Sequence, residues 1–278
     1  MADSRASKEY WESVWREGKL PRAIDPRDHS LKNEAGLKFD ALFRQVFGAE
    51  QQPRDATKLL ELGCARSAWL PYFSKELGLS VTGIDYSPLG CEQAKAILAM
   101  EEVPGEVMLA DISSAPPNLL NRFDFVVSFG LVEHFEATAE CLRSCGAFLK
   151  PGGTMVTVIP NMNGLVGLLQ KRLAREVYDV HVPLDASALR RAHEIAGLEI
   201  VRCEYFCFMH FGVLNLTRIR QSFLGLLLSR GLNAVSSVTW IVERMGVKLP
   251  ANKLTSPYVV CVSTKMTLGC VEYGQRSV

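Results

Sequence analysis

Gly63, Asp85 and Asp111 each close an apolar run: "KLLELG", "SVTGID" and "EVMLAD". A glycine there can take the tight turn from a strand into a helix. Asp85 follows Gly63 by 22 residues. A carboxylate at about 20 residues beyond such a turn suits a ribose diol, because it accepts from both hydroxyls. Asp111, with Ile112 to lie against the ring, suits an adenine amino group. Each residue alone has an ordinary reading. Aspartates end strands as caps or turn formers, and many strand–helix turns hold a glycine. The ordered set on three successive segments is what points to a ligand.

The stretch "LLELGCARSAW" (59–69) then narrows the ligand. Where a dinucleotide loop has its later glycines, this chain has Ala65 and either Ser67 or Ala68, with Arg66 between. A second glycine lets the backbone approach a pyrophosphate, and a third lets the helix pack closely. A cofactor with no phosphate at that position relaxes both demands. S-adenosylmethionine is such a cofactor, since its adenosine joins directly to a methionyl sulfonium.

These residues need a scaffold, and the pattern supplies one. Residues 7–17 set Tyr10, Trp11, Val14 and Trp15 at helical spacing, an amphipathic helix. A loop (18–30), a helix (33–48) and a polar joint (50–58) follow. Strands are then expected at 58–63, 80–85, 106–111, 123–129 and 154–160. Helices are expected at 68–78, after Ser87–Pro88 and at 135–149. Apolar strands alternating with helices predict a parallel sheet covered on both faces. A later helix opens at Asp185 or Ser187 and stops at Gly197, before a strand; "YVVCVSTK" (258–265) is a last strand. Between them, 212–247 predicts two helices, interrupted by Arg218, Arg220, Arg230 and Glu243.

Composition removes other classes. The 278 residues are 48% hydrophobic, enough for a sizeable core. With 31 Lys plus Arg against 30 Asp plus Glu, the net charge of +1 gives no electrostatic reason to expect nucleic acid. The charged start lacks the apolar segment of a signal peptide, and no apolar run approaches the roughly 20 residues of a membrane span. Eight cysteines include no CxxC pair. Cys141/Cys145 and Cys203/Cys207 are each four apart, but nothing completes a zinc set, so no metal is expected. Reduced thiols in a cytoplasmic protein are the expectation.

In order, "LLELGCARS", "VTGIDYSP", "LADI", "FDFVVSFGLVEHF" and "LKPGGTMVTVIPN" resemble the successive motifs of class I S-adenosylmethionine-dependent methyltransferases of the small-molecule type. The resemblance covers roughly residues 55–162, and "DVHVPLDASALRRAHEIAGLEIV" is similar to the segment that follows. It implies a doubly wound, mostly parallel seven-stranded α/β sheet with helices on both faces, Rossmann-like, its last strand antiparallel. The first motif departs from the family's E-x-G-x-G-x-G, keeping Glu61 and Gly63 only. Carried over by position, Gly63 with Cys64 and Ala65 borders the methionyl part. Asp85, with Tyr86 beside it, holds the ribose. Asp111 and Ile112 frame the adenine. Ser128, Phe129 and Gly130 lie under the sulfonium. Arg66 either pairs with the cofactor carboxylate or faces solvent.

Methyl transfer to a hydroxyl or ammonium also needs a base. His134 is the leading candidate, since an unperturbed histidine pKa of about 6.5 suits it; capping or shaping the pocket is its other reading. Glu133 is the alternative. His181 and Asn161 are candidate acceptor contacts, and His29 a lid residue. His193 reads as a helix-surface residue. The amino-methylating motif of enzymes acting on nucleic acid bases or protein glutamine is absent.

The expected layout is an N-terminal helical lid (1–55) carrying Trp11 and Trp15 toward the substrate. A Rossmann-like methyltransferase core (56–211 and 256–266), a helical insertion (212–255) and a mobile tail (267–278) follow. The insertion roofs the acceptor pocket or makes a homodimer contact, with membrane association a minority reading. An apolar or aromatic small-molecule acceptor is expected, methylated at oxygen, nitrogen or sulfur. A nicotinamide-dependent oxidoreductase and a non-catalytic binding module are the rivals. The first lacks its second glycine and a Tyr-x-x-x-Lys pair.

Overall fold

The computed structural model describes residues 4–16, 19–48, 57–114, 116–217 and 219–267. Arg218, most of the polar joint and the tail beyond 267 lie outside these residues. The strands are β1 (Lys58–Leu62), β2 (Ser80–Asp85), β3 (Gly105–Leu109), β4 (Phe123–Phe129), β5 (Leu149–Pro160), β6 (Leu198–Phe206) and β7 (Tyr258–Lys265). They form one sheet in the order β3-β2-β1-β4-β5-β7-β6. The first five run parallel, and β7 is antiparallel to both β5 and β6. This is the Rossmann-like, doubly wound sheet with an antiparallel last strand that the family resemblance implied, and it contains the parallel sheet that the alternation of elements predicts. The order reverses at β1, so the carboxyl ends of β1 and β4 flank a crevice.

The helices are α1 (Lys8–Trp15), α2 (Glu34–Phe47), α3 (Trp69–Leu77), α4 (Pro88–Met100), α5 (Thr138–Ala147), α6 (Leu165–Leu173), α7 (Arg175–Asp179), α8 (Ala186–Ile195) and α9 (Phe223–Arg244). Side chains of the strands alternate between two cores. Leu60, Val126, Met155 and Val259 face Leu142 of α5 and Leu189 of α8. Leu59, Val127, Val156 and Val260 face Phe39 and Phe43 of α2, Phe73 of α3 and Leu98 of α4. Continuous apolar strands are what a sheet buried on both faces requires.

Local chemistry sets the helix starts. Ser7 accepts from the Tyr10 amide, Ser87 from Gly90 with Pro88 at the first position, and Asp185 from Ala188. Asp185, not Ser187, is therefore the cap of α8. Several expectations change. Asp111 lies two residues beyond β3, which ends at Leu109. His193 is fully buried rather than on a helix surface, its Nδ1 2.9 Å from Ser263 Oγ. Among its described residues the 212–247 stretch holds one long α-helix, the 22-residue α9, after a 3-10 turn at Ile219–Gln221, where two helices are expected. Ser222 caps it. Gly225 lets the preceding turn approach, since a Cβ there would come 2.0 Å from Ile219 O. Residues 165–179, unassigned from sequence, form α6 and α7. Among the described residues no helix is long and apolar enough to cross a membrane.

Candidate active site

The loop after β1 is shaped by Gly63, whose φ is 72°. Amides of Gly63 and Cys64 both donate to Ile84 O, at 2.8 and 3.2 Å, folding the loop over the end of β2. The Ala65 amide then donates to Asp85 Oδ2 (3.1 Å), while the Ser87 amide donates to Oδ1 (2.9 Å). Gly90 permits this closeness, because a Cβ there would meet Ala65 Cβ at 2.8 Å. Burial pushes the Asp85 carboxyl up to about 6, against the opposing pull of these amides.

Above this loop lies a cavity lined by Gly63, Ala65, Asp85, Tyr86, Ile112 and Phe129, among others. Gly130, at φ 61°, and His134 also line it. Trp11 and Trp15 of α1 close it from above, stacked with ring centroids 5.7 Å apart. Three contacts hold α1 there. Ser87 Oγ donates to Glu12 (3.0 Å), and Gln93 donates to Trp15 O (2.9 Å). Arg66 donates to Trp15 O (2.9 Å) and Lys19 O (2.6 Å). Arg66 thus ties the N-terminal segment to the β1 loop and does not line the cavity.

A second cavity adjoins the first, and both are lined by Trp11, Phe129, Gly130 and His134. Its other walls include Glu133, His181, Met162, Val213 and Tyr258. Gln170 fixes part of this wall, accepting from the Asn215 amide (3.0 Å) and donating to its carbonyl (3.1 Å). Gln170 and Tyr258 were not singled out from sequence. A buried glutamine in an otherwise apolar run was the available signal.

Glu133, His134 and His181 are buried together where the second cavity meets the first. His134 Nδ1 lies 2.7 Å from Val180 O, and His181 Nδ1 2.6 Å from Val177 O. A carbonyl only accepts, so each Nδ1 carries a proton and each neutral ring keeps its lone pair on Nε2. Neither carboxylate oxygen of Glu133 has a hydrogen-bond partner among the described residues. Burial pushes Glu133 up to about 8; burial and neighbouring His181 push His134 down to about 3.

Other sequence candidates sit elsewhere. Glu61 lies beneath the loop and accepts from Ser67 Oγ (2.8 Å). Cys64 is core, with Gly83 making room for its sulfur. Asp111 accepts from the Ser113 amide, and Ser128 is fully buried in β4. Asn161 donates to the carbonyls of Lys253 and Ser256, latching the end of β5 to the chain entering β7. His29 is exposed and lines neither cavity.

The first cavity suits an adenosyl sulfonium by its donor set. Its wall carries one carboxylate, Asp85, and no lysine or arginine among the described residues, so it offers no side-chain clamp for a pyrophosphate. Aromatic faces of Trp11, Trp15 and Tyr86 can attract a cation.

The sequence profile of a family described as a methyltransferase domain matches residues 31–202. A ubiquinone biosynthesis O-methyltransferase of Rhodopseudomonas palustris is 25% identical over 160 residues, 58% of this chain and 60% of that protein. The match thus spans about three fifths of that curated relative's length. A geranyl diphosphate C-methyltransferase of Streptomyces coelicolor A3(2) aligns over 90% of each chain, with a TM-score of 0.55 and 14% identity. A phosphoethanolamine N-methyltransferase 2 of Haemonchus contortus, solved with S-adenosyl-L-methionine, aligns over 88% of this chain and 60% of its own. Its TM-score is 0.52 and its identity 15%. At such identities the two structures speak for the fold alone.

Proposed function

This chain belongs to the methyltransferase-domain family, and from that premise we propose that it methylates a small acceptor held in the second cavity, using S-adenosylmethionine held in the first. The observation that carries this reading is the meeting of the two cavities at Phe129, Gly130 and His134. When bound, the cofactor supplies a methyl group on a sulfonium, a carbon already activated for in-line displacement. The protein's part is alignment and exclusion of water.

Asp85 accepts from the ribose hydroxyls, and Ile112 packs against the adenine. Gly130 presents no side chain where the cavities join, and its positive φ favours glycine there. Trp11 and Trp15 shut the cofactor from bulk water. Val213 and Asn215 bring the 212–255 insertion into the acceptor wall, which supports its role as a roof. The apolar remainder of that wall, with Met162, Val158 and Ile159, favours an acceptor with an apolar or aromatic body. The curated relatives' O-methyltransferase names support a hydroxyl as its reactive group. Glu133, His134 and His181, with Tyr10 and Tyr258, are the titratable groups on the wall beside such a hydroxyl.

Incubating the protein with methyl-labelled cofactor and fractionated small-molecule extracts tests this reading. Label is expected in an apolar, hydroxyl-bearing compound. Label transfer to none of the fractions, with the cofactor bound, would favour the non-catalytic binding module.

A further inference from the structure

Glu133, His134 and His181 come from two separate stretches of chain, yet their ligating atoms all lie within 4.8 Å of one another. His134 Nε2 and Glu133 Oε1 are 3.9 Å apart. Each imidazole gives Nδ1 to a backbone carbonyl, and the Gly130 carbonyl is a further backbone neighbour of the His134 ring. A carbonyl partner on the far nitrogen is the usual support of a metal-binding histidine. Packing reinforces the arrangement. The Val182 amide donates to Glu133 O at 2.6 Å, and the Arg5 amide donates to His134 O at 2.8 Å. The Arg5 guanidinium donates to His181 O.

The carboxylate is the second, independent observation. Glu133 is 1% exposed, and neither of its oxygens has a hydrogen-bond partner among the described residues. Buried polar atoms are nearly always satisfied, so an orphaned carboxylate on a cavity wall calls for a ligand that the side chains around it do not provide. Two neutral imidazoles and one carboxylate form the ligand set of a divalent transition metal with an open position. A tetrahedral site with bonds of about 2.0–2.1 Å sets ligands roughly 3.3 Å apart. The cluster reaches that when its separations, 3.9 Å between His134 and Glu133 and up to 4.8 Å overall, close by as much as about 1.5 Å.

We infer that Glu133, His134 and His181 bind one divalent cation of the zinc class, leaving a coordination position open toward the acceptor cavity. Its use rests on the methyltransferase reading: an acceptor hydroxyl coordinated there forms a metal–oxygen bond and releases its proton to solvent. No electron changes hands. The binding itself rests only on the three side chains.

Equilibrium dialysis against Zn2+, without cofactor, followed by elemental analysis measures the stoichiometry. One equivalent is expected, falling at least tenfold in affinity in both Glu133→Gln and His181→Gln. Neither residue lines the cofactor cavity. S-adenosylhomocysteine binding by calorimetry in each variant therefore reports whether the fold is intact, and should change less than about twofold. Co2+ serves as a coloured substitute, with the visible bands of nitrogen and oxygen ligands expected. Failure of the wild-type protein to bind Zn2+ would overturn the inference. So would Zn2+ binding unchanged in both variants, or a thiolate-to-metal band with Co2+. Zn2+ binding without any affinity for S-adenosylhomocysteine would leave the site standing and sink the methyltransferase reading instead.

Discussion

On the proposed reading, Asp85 is the residue on which cofactor recognition turns. Its two oxygens already accept from Ala65 and Ser87, and the carboxylate must stay ionised to receive ribose hydroxyls as well. Burial holds its pKa at about 6, so the proton competes with the ligand in the mildly acid range. S-adenosylhomocysteine affinity is expected to be flat above that pH and to fall roughly tenfold per unit below it. Calorimetry between pH 5 and pH 8 checks this. Asp85→Ala removes charge-assisted hydrogen bonds and should cost about 1.5–3 kcal/mol of binding, or ten- to a hundredfold. Asp85 was legible from sequence because a strand end and a count from Gly63 locate it. Arg66 was not, because its partners are carbonyls at Trp15 and Lys19, and no residue type marks a carbonyl acceptor. The proximity of Glu133, His134 and His181 was equally hidden, since α6 and α7 return the chain to place His181 there.

At the scale of elements, α1 is the part whose order depends most on its surroundings. Eight residues are too few for a helix stable by itself, so its docking onto α4 and the β1 loop must hold it. Arg66→Ala removes two hydrogen bonds from a cationic group, worth roughly 1.5–3 kcal/mol each at most. Amide exchange in 8–15 is expected to quicken by at least tenfold, while the amides of β1 and β4 stay protected. Unchanged exchange would mean that the Trp11 and Trp15 packing suffices. The positions of the strands and their alternation with helices were readable because apolar runs are local signals; the order of the strands in the sheet is set by tertiary pairing and was not. The single helix α9 was not. Its charged residues suggested breaks, but Gly225 serves a close approach to Ile219 and not a stop. Residues 165–179 escaped for a related reason: α6 packs against the 211–216 segment, a tertiary partner that no local pattern reveals.

For the whole molecule, buried titratable groups set the pH dependence of stability. Burial raises Glu61 from 4.5 to about 8, so folding favours its protonated form. Its unfolded state loses that proton above about 4.5, and stability is therefore lost as pH rises from there toward 8. His193 and His210 are lowered by burial to about 3 and 4, favouring their neutral forms. Their contribution is complete above the unfolded value of about 6.5 and is lost as pH falls below it. Buried Glu133, likewise raised to about 8, adds to the alkaline loss, so stability should peak near pH 6.5 and decline toward pH 8. Thermal melts should show Glu61→Gln making that alkaline decline shallower without abolishing it. All these groups sit within a fold shared by enzymes of different methyl acceptors, so the fold does not name the acceptor. On the proposed reading, the wall of the first cavity takes an adenosyl group without a pyrophosphate. Calorimetric titration with S-adenosylhomocysteine and, separately, with NAD puts that claim to the test. Binding of S-adenosylhomocysteine that weakens in Asp85→Ala, with no heat from NAD, is the result predicted here. Binding of NAD with none of S-adenosylhomocysteine would contradict it.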